Sequence, residues 1–72
     1  MTEKELKDIE KKFMANLIAK RNSAALSQRD LAAKTGLTQQ AISSMERLDR
    51  NPTLFNVIRY LSGLGIDIND LF

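Results

Sequence analysis

Apolar residues recur at helical spacing along almost the whole 72-residue chain, and the polar residues between them mark where helices start and stop. Leu6, Ile9, Phe13, Met14 and Leu17 form one stripe, which predicts a helix from about Glu3 to Asn22 with Thr2 and Glu5 as its capping box. At 1.5 Å per residue such a helix is about 30 Å long, more than a bundle this small can cover. Its first two turns, carrying Leu6 and Ile9 among lysines and acids, therefore have two readings: they pack on another subunit or partner, or they stay solvated with charges paired at i,i+4.

A second, shorter helix begins at Ser27 as N-cap, with Asp30 at the third position, where a capping box would carry Glu or Gln. Leu31, Thr35, Gln28 and Ala32 share its inner face. Gly36, in Thr35-Gly36-Leu37, supplies the positive φ of a tight turn, and Ala32 is small where two helices must approach. Thr38 then caps a third helix. Around it, Gln39, Gln40, Ser43, Ser44 and Arg47 fall within an arc of about 140°, while Ala41, Ile42, Met45 and Leu48 take the remainder. Residues 27 to 48 thus read as a helix-turn-helix unit whose second helix has an apolar half and an uncharged polar half ending in an arginine. A major groove admits one α-helix; glutamine matches adenine in bidentate fashion there, short hydroxyl side chains also reach bases, and a terminal arginine suits phosphate.

Beyond this unit, Asn51-Pro52-Thr53 is a turn and cap for a helix over residues 54 to 64, with Leu54, Val57, Ile58, Leu61 and Leu64 inward and Gly65 closing it. Asp67 caps a last short helix, Ile68 to Phe72. Phe55 and Tyr60 fall off the main stripe, and Phe55, Ile66 and Ile68 are candidates for a dimer patch. Arg21 lies on the same face as Met14 and Leu17, so it points inward; Glu46, at the edge of the apolar half of the third helix, is its natural partner.

The set Leu17, Arg21, Leu26-Ser27-Gln28, Leu31-Ala32, Gly36-Leu37-Thr38, Ile42-Ser43, Glu46-Arg47, Arg50-Asn51-Pro52-Thr53-Leu54, Leu64-Gly65-Ile66, Asp67 and Leu71-Phe72 resembles the Cro and lambda-repressor-like helix-turn-helix proteins, the XRE family. The resemblance covers about residues 13 to 72. It implies an all-α, five-helix DNA-binding domain, here with an extended first helix. By the same resemblance Gln39, Gln40, Ser43 and Ser44 face base edges. Thr38 and Arg47 face the DNA backbone, Gln28 contacts phosphate while bracing the third helix, and Arg50 and Asn51 lie in a loop that tracks phosphates. Arg21 and Glu46 form a structural ion pair outside the DNA-contacting set. Two departures stand out. Leu48-Asp49 replaces the family's usual Gly-Lys, so either the third helix runs on and turns Asp49 away or nonspecific DNA affinity is weaker. Ala25 replaces a glycine, at a cost of about 1 kcal/mol if the backbone there is left-handed.

Length makes the chain one domain, 1–72, with residues 1–12 as an N-terminal helical extension and 27–48 as the helix-turn-helix unit. The net charge of +2 is unevenly spread: residues 20 to 53 carry six basic and three acidic groups, whereas the first 19 are balanced. The surplus sits on the motif, a modest footprint that favours phosphate contacts made by a dimer. With no histidine, cysteine, phosphate loop or metal-ligand spacing, neither an enzyme nor a metal site nor a cofactor is expected. No stretch is long and apolar enough for a bilayer and no secretory segment is seen, so a cytoplasmic location is expected. The function expected is a sequence-specific, double-stranded DNA-binding transcriptional regulator, a repressor acting as a homodimer on operator half-sites. The alternative is an antitoxin or adaptor that binds a protein partner such as a toxin through the first helix; RNA binding ranks third, for want of an aromatic stacking surface.

Overall fold

The computed structural model describes residues 1–71; among them the chain is all-helical, with no strand. Four α-helices, α1 (Glu3–Ser23), α2 (Gln28–Thr35), α3 (Gln39–Arg47) and α4 (Leu54–Gly63), are followed by one 3₁₀ turn, Ile68–Leu71. That turn stands where a last short helix is expected; Phe72, the final residue assigned to it, lies outside the described residues.

Local chemistry sets the boundaries. Each α-helix starts at a Ser or Thr (Thr2, Ser27, Thr38, Thr53) whose hydroxyl accepts the amide hydrogen three residues on. Asp30 proves long enough to close a full capping box, accepting from the Ser27 amide at 2.9 Å. Each α-helix also ends on or just before a left-handed residue: Ala25, Gly36, Leu48 and Gly65, at φ of 57°, 76°, 56° and 77°. After α1, α3 and α4 the next amide closes back five residues, Leu26 to Arg21, Asp49 to Ser44 and Ile66 to Leu61. Ala25 and Leu48 adopt this turn without glycine's freedom, which costs roughly 1 to 2 kcal/mol at each.

The core is Met14 and Leu17 from α1, Leu31 and Ala32 from α2, Ile42 and Met45 from α3, and Tyr60 from α4. Leu26, Leu37, Leu48, Val57, Leu61 and Leu64 close around it half-buried. α2 packs on both α3 and α4, and α1 lies across α3.

Two expectations for α4 are corrected. Leu54, expected inward, is 75% exposed, and Tyr60, expected at the flank, is fully buried. The inward face of α4 is rotated by about 45° from the centre of its aliphatic stripe, toward Tyr60. Gly63 is the reason. Its bare Cα lies against the Leu31 and Thr35 side chains of α2, which brings Tyr60, one turn earlier, into the core. On α1, Leu6, Ile9 and Phe13 share the stripe of Met14 and Leu17 but stay about half-exposed; of the three, Phe13 alone borders α4. Phe55 is also exposed, with the Arg59 guanidinium 4.6 Å above its ring. Among the described residues no helix is long and apolar enough to cross a membrane.

Candidate nucleic-acid interface

α3 is held by its inner face. Ile42 and Met45 are buried, and at its edge Glu46 collects donors from every other α-helix. Arg21 of α1 donates through Nε to Oε2 at 2.7 Å and through its terminal nitrogen to Oε1 at 2.9 Å. Tyr60 of α4 donates its hydroxyl to Oε2 at 2.7 Å, and Gln28 of α2 donates Nε2 to Oε1 at 3.0 Å. The remaining Arg21 nitrogen donates to the Leu26 carbonyl at 2.8 Å. Among the described residues no buried side-chain polar atom lacks a partner. Burial alone would raise the Glu46 pKa, but hydrogen bonds from Arg21, Tyr60 and Gln28 outweigh it and hold the carboxylate below its ordinary value. The hydrogen bond to Glu46 raises Arg21, and burial followed by the bond to Glu46 pushes Tyr60 up, so the site holds one cation, one anion and one neutral phenol at neutral pH.

With that edge fixed, the opposite face is free. Gln39 and Gln40 are exposed on the first turn of α3, and Ser43 and Ser44 are half-exposed one turn on. Thr38 spends its oxygen on the Ala41 amide at 3.0 Å, leaving its hydroxyl hydrogen available to an acceptor such as a phosphate oxygen. Gln28 is half-buried and committed through one amide hydrogen to Glu46. Arg50 and Asn51 are exposed in the loop after α3.

Arg47 is tied differently. The helix ends at Arg47 rather than running on, and the left-handed Leu48 turns the chain so that Asp49 comes back to the guanidinium. Nε and a terminal nitrogen of Arg47 meet Asp49 Oδ2 at 2.9 and 2.7 Å, and its other terminal nitrogen donates to Ser43. Two side chains expected to face DNA are therefore joined to each other and to an acid. Asp49 belongs to this site although the sequence pointed to it only as an anion out of place. Tyr60 also went unread, since an aromatic off the stripe gives no sign of a partner 14 residues away. Being solvent-exposed, the Arg47–Asp49 pair is worth at most about 1 kcal/mol and opens readily.

A short helix fixed by its inner edge, with two glutamines and two serines outward and a tight glycine turn before it, matches a known family model described as helix-turn-helix over residues 17–71. The chain belongs to the XRE-type helix-turn-helix family. In this helix-turn-helix protein the matched region takes in all of α2, α3 and α4 and leaves the first 16 residues outside. A protein of Sinorhizobium fredii, described as an uncharacterized HTH-type transcriptional regulator, is 34% identical over 59 residues, covering 82% of this chain and 77% of the relative. No solved structure matches significantly.

Proposed function

We propose that the chain is a sequence-specific, double-stranded DNA-binding transcriptional regulator that represses as a homodimer, each protomer placing α3 in one major-groove half-site. The observation that carries the reading is the division of α3 into an inner edge locked through Glu46 and an outer face of exposed Gln39 and Gln40 followed by Ser43 and Ser44. In this reading these four meet base edges, Gln28, Thr38, Arg47, Arg50 and Asn51 meet the backbone, and two half-sites lie about one helical turn apart. Arg47 must leave Asp49 to reach a phosphate, a uniform cost over all sequences. The test is selection from random duplexes. Gln40→Ala is expected to lose about 1 to 3 kcal/mol at one or two base positions, with the others unchanged; unaltered affinity and preference would rule α3 out as the reading helix.

The half-exposed Leu6, Ile9 and Phe13 favour a second role, protein-partner binding in the manner of an antitoxin or adaptor. Removal of residues 1 to 10 is expected to preserve base preference while a co-purifying protein is lost. A truncated protein that only becomes monomeric would assign the helix to self-association, and loss of base preference would reject both.

A further inference from the structure

We infer that the first three turns of α1 carry an additional phosphate-binding stripe, Lys4, Lys7 and Lys11, which grips the DNA backbone beside the half-site occupied by α3. The inference rests on the proposed reading of α3 and adds a contact outside the family's matched region, which begins at residue 17.

Spacings of three and four residues put the lysines within an arc of about 60° on α1, on the side away from Ile9 and Phe13. The fold aims that arc at the end of α3. Lys7 and Lys11 line a surface hollow of about 420 Å³ whose far wall is Arg47 and Leu48, and Lys7 also borders a smaller hollow shared with Asn51. Arg47 and Asn51 are the proposed backbone contacts on this side, so the lysines continue their line outward along α1. Lys4 to Lys11 covers about 10 Å of helix axis, comparable to three phosphate steps at 3.4 Å per strand.

Their charge is unspent. Among the described residues the ion pairs are Arg21–Glu46 and Arg47–Asp49, and none of the three lysines joins one. The i,i+4 pairing that would make this a self-neutralised solvated face is not formed. Of the nearby acids, Glu5 is turned to the Thr2 cap and Glu46 to Arg21. Glu10 borders both hollows, Glu3 borders the smaller one and Asp8 follows Lys7 on α1, so the stripe acts at contact range and not as a broad field. Flexible ammonium groups suit phosphate oxygens and carry no base preference, so the stripe contributes affinity and salt dependence without changing the sequence read.

The test measures binding of the full chain to its selected duplex against salt concentration. The triple variant Lys4→Gln, Lys7→Gln, Lys11→Gln is expected to lower the slope of log affinity against log salt by about 2 to 3, since each phosphate contact contributes about 0.9. Affinity should fall at least tenfold at low salt with base preference unchanged. The matching triple to Arg should keep the wild-type slope, and circular dichroism checks that α1 remains helical. Lys12→Gln, about 100° round the helix, should leave the slope unchanged. A triple Gln variant with wild-type slope, or a Lys12→Gln variant that loses as much per lysine, overturns the stripe while leaving the reading of α3 intact. Wild-type protein with no base preference overturns the reading of α3 instead, and failure to bind any duplex overturns both.

Discussion

Glu46→Ala is expected to destabilise the domain by about 3 to 5 kcal/mol, the range found when one member of a buried ion pair is removed. Both side chains of the pair are about nine-tenths buried, and Glu46 is the shared acceptor for Arg21, Gln28 and Tyr60. Its loss leaves a guanidinium and a phenol without their partner, and the desolvation cost of each is then uncompensated. A domain of this length holds roughly 4 to 11 kcal/mol in all, so the substitution removes between about a quarter and all of its stability. Urea titration followed by circular dichroism measures this; a loss under about 1 kcal/mol would mean that the network contributes little. Glu46→Gln keeps the side-chain volume and one accepting oxygen, but its amide nitrogen then faces two donors, so it should also destabilise. Acidity acts through the same group. Because the folded carboxylate titrates below its ordinary 4.5, its contribution is complete above that pH and is lost as pH falls through the folded value. Glu46→Gln should therefore flatten the acid limb of the stability profile between neutral pH and pH 3.

Gly63→Ala should lower the thermal midpoint by about 10 to 20 °C, the equivalent of 2 to 3 kcal/mol in a domain of this size. The sign is the informative part. At an exposed helical position alanine in place of glycine stabilises by up to about 1 kcal/mol. At Gly63 an added Cβ lies 2.6 Å from Leu31 Cδ1 and 2.6 Å from Thr35 Cγ2. Neither neighbour can retreat. Leu31 is fully buried, and the Thr35 rotamer is fixed by donation of its hydroxyl to the Leu31 carbonyl at 2.8 Å. α4 must then shift away from α2, pulling Tyr60 from Glu46. A raised midpoint would show that the α2–α4 contact is slack.

What the sequence made legible was local. Thr2, Ser27, Thr38 and Thr53 act through hydrogen bonds three residues long, so their residue types alone mark helix starts. The two faces of α3 were legible because its period is strong and its outer face holds no large apolar side chain. α4 was misread at Leu54 and Tyr60. Its orientation is set by a missing side chain at Gly63 and by a hydroxyl whose partner is on another helix, and apolar periodicity records neither. The clasp of Arg47 by Asp49 was hidden for a similar reason. It depends on Leu48 adopting a left-handed turn that its residue type disfavours.

The uneven cover along α1 divides one continuous helix into two levels of stability. Met14, Leu17 and Arg21 are buried in the core, so amide hydrogens around them are expected to be among the slowest to exchange. Residues 3 to 9 are exposed throughout and are held by the Thr2 cap and by helix propensity, which short helices in water find marginal. Their opening is expected to be a local event that leaves the fold intact. Any partner that binds these turns in helical form, whether phosphate or protein, therefore shifts a nearby equilibrium without competing against the free energy of folding.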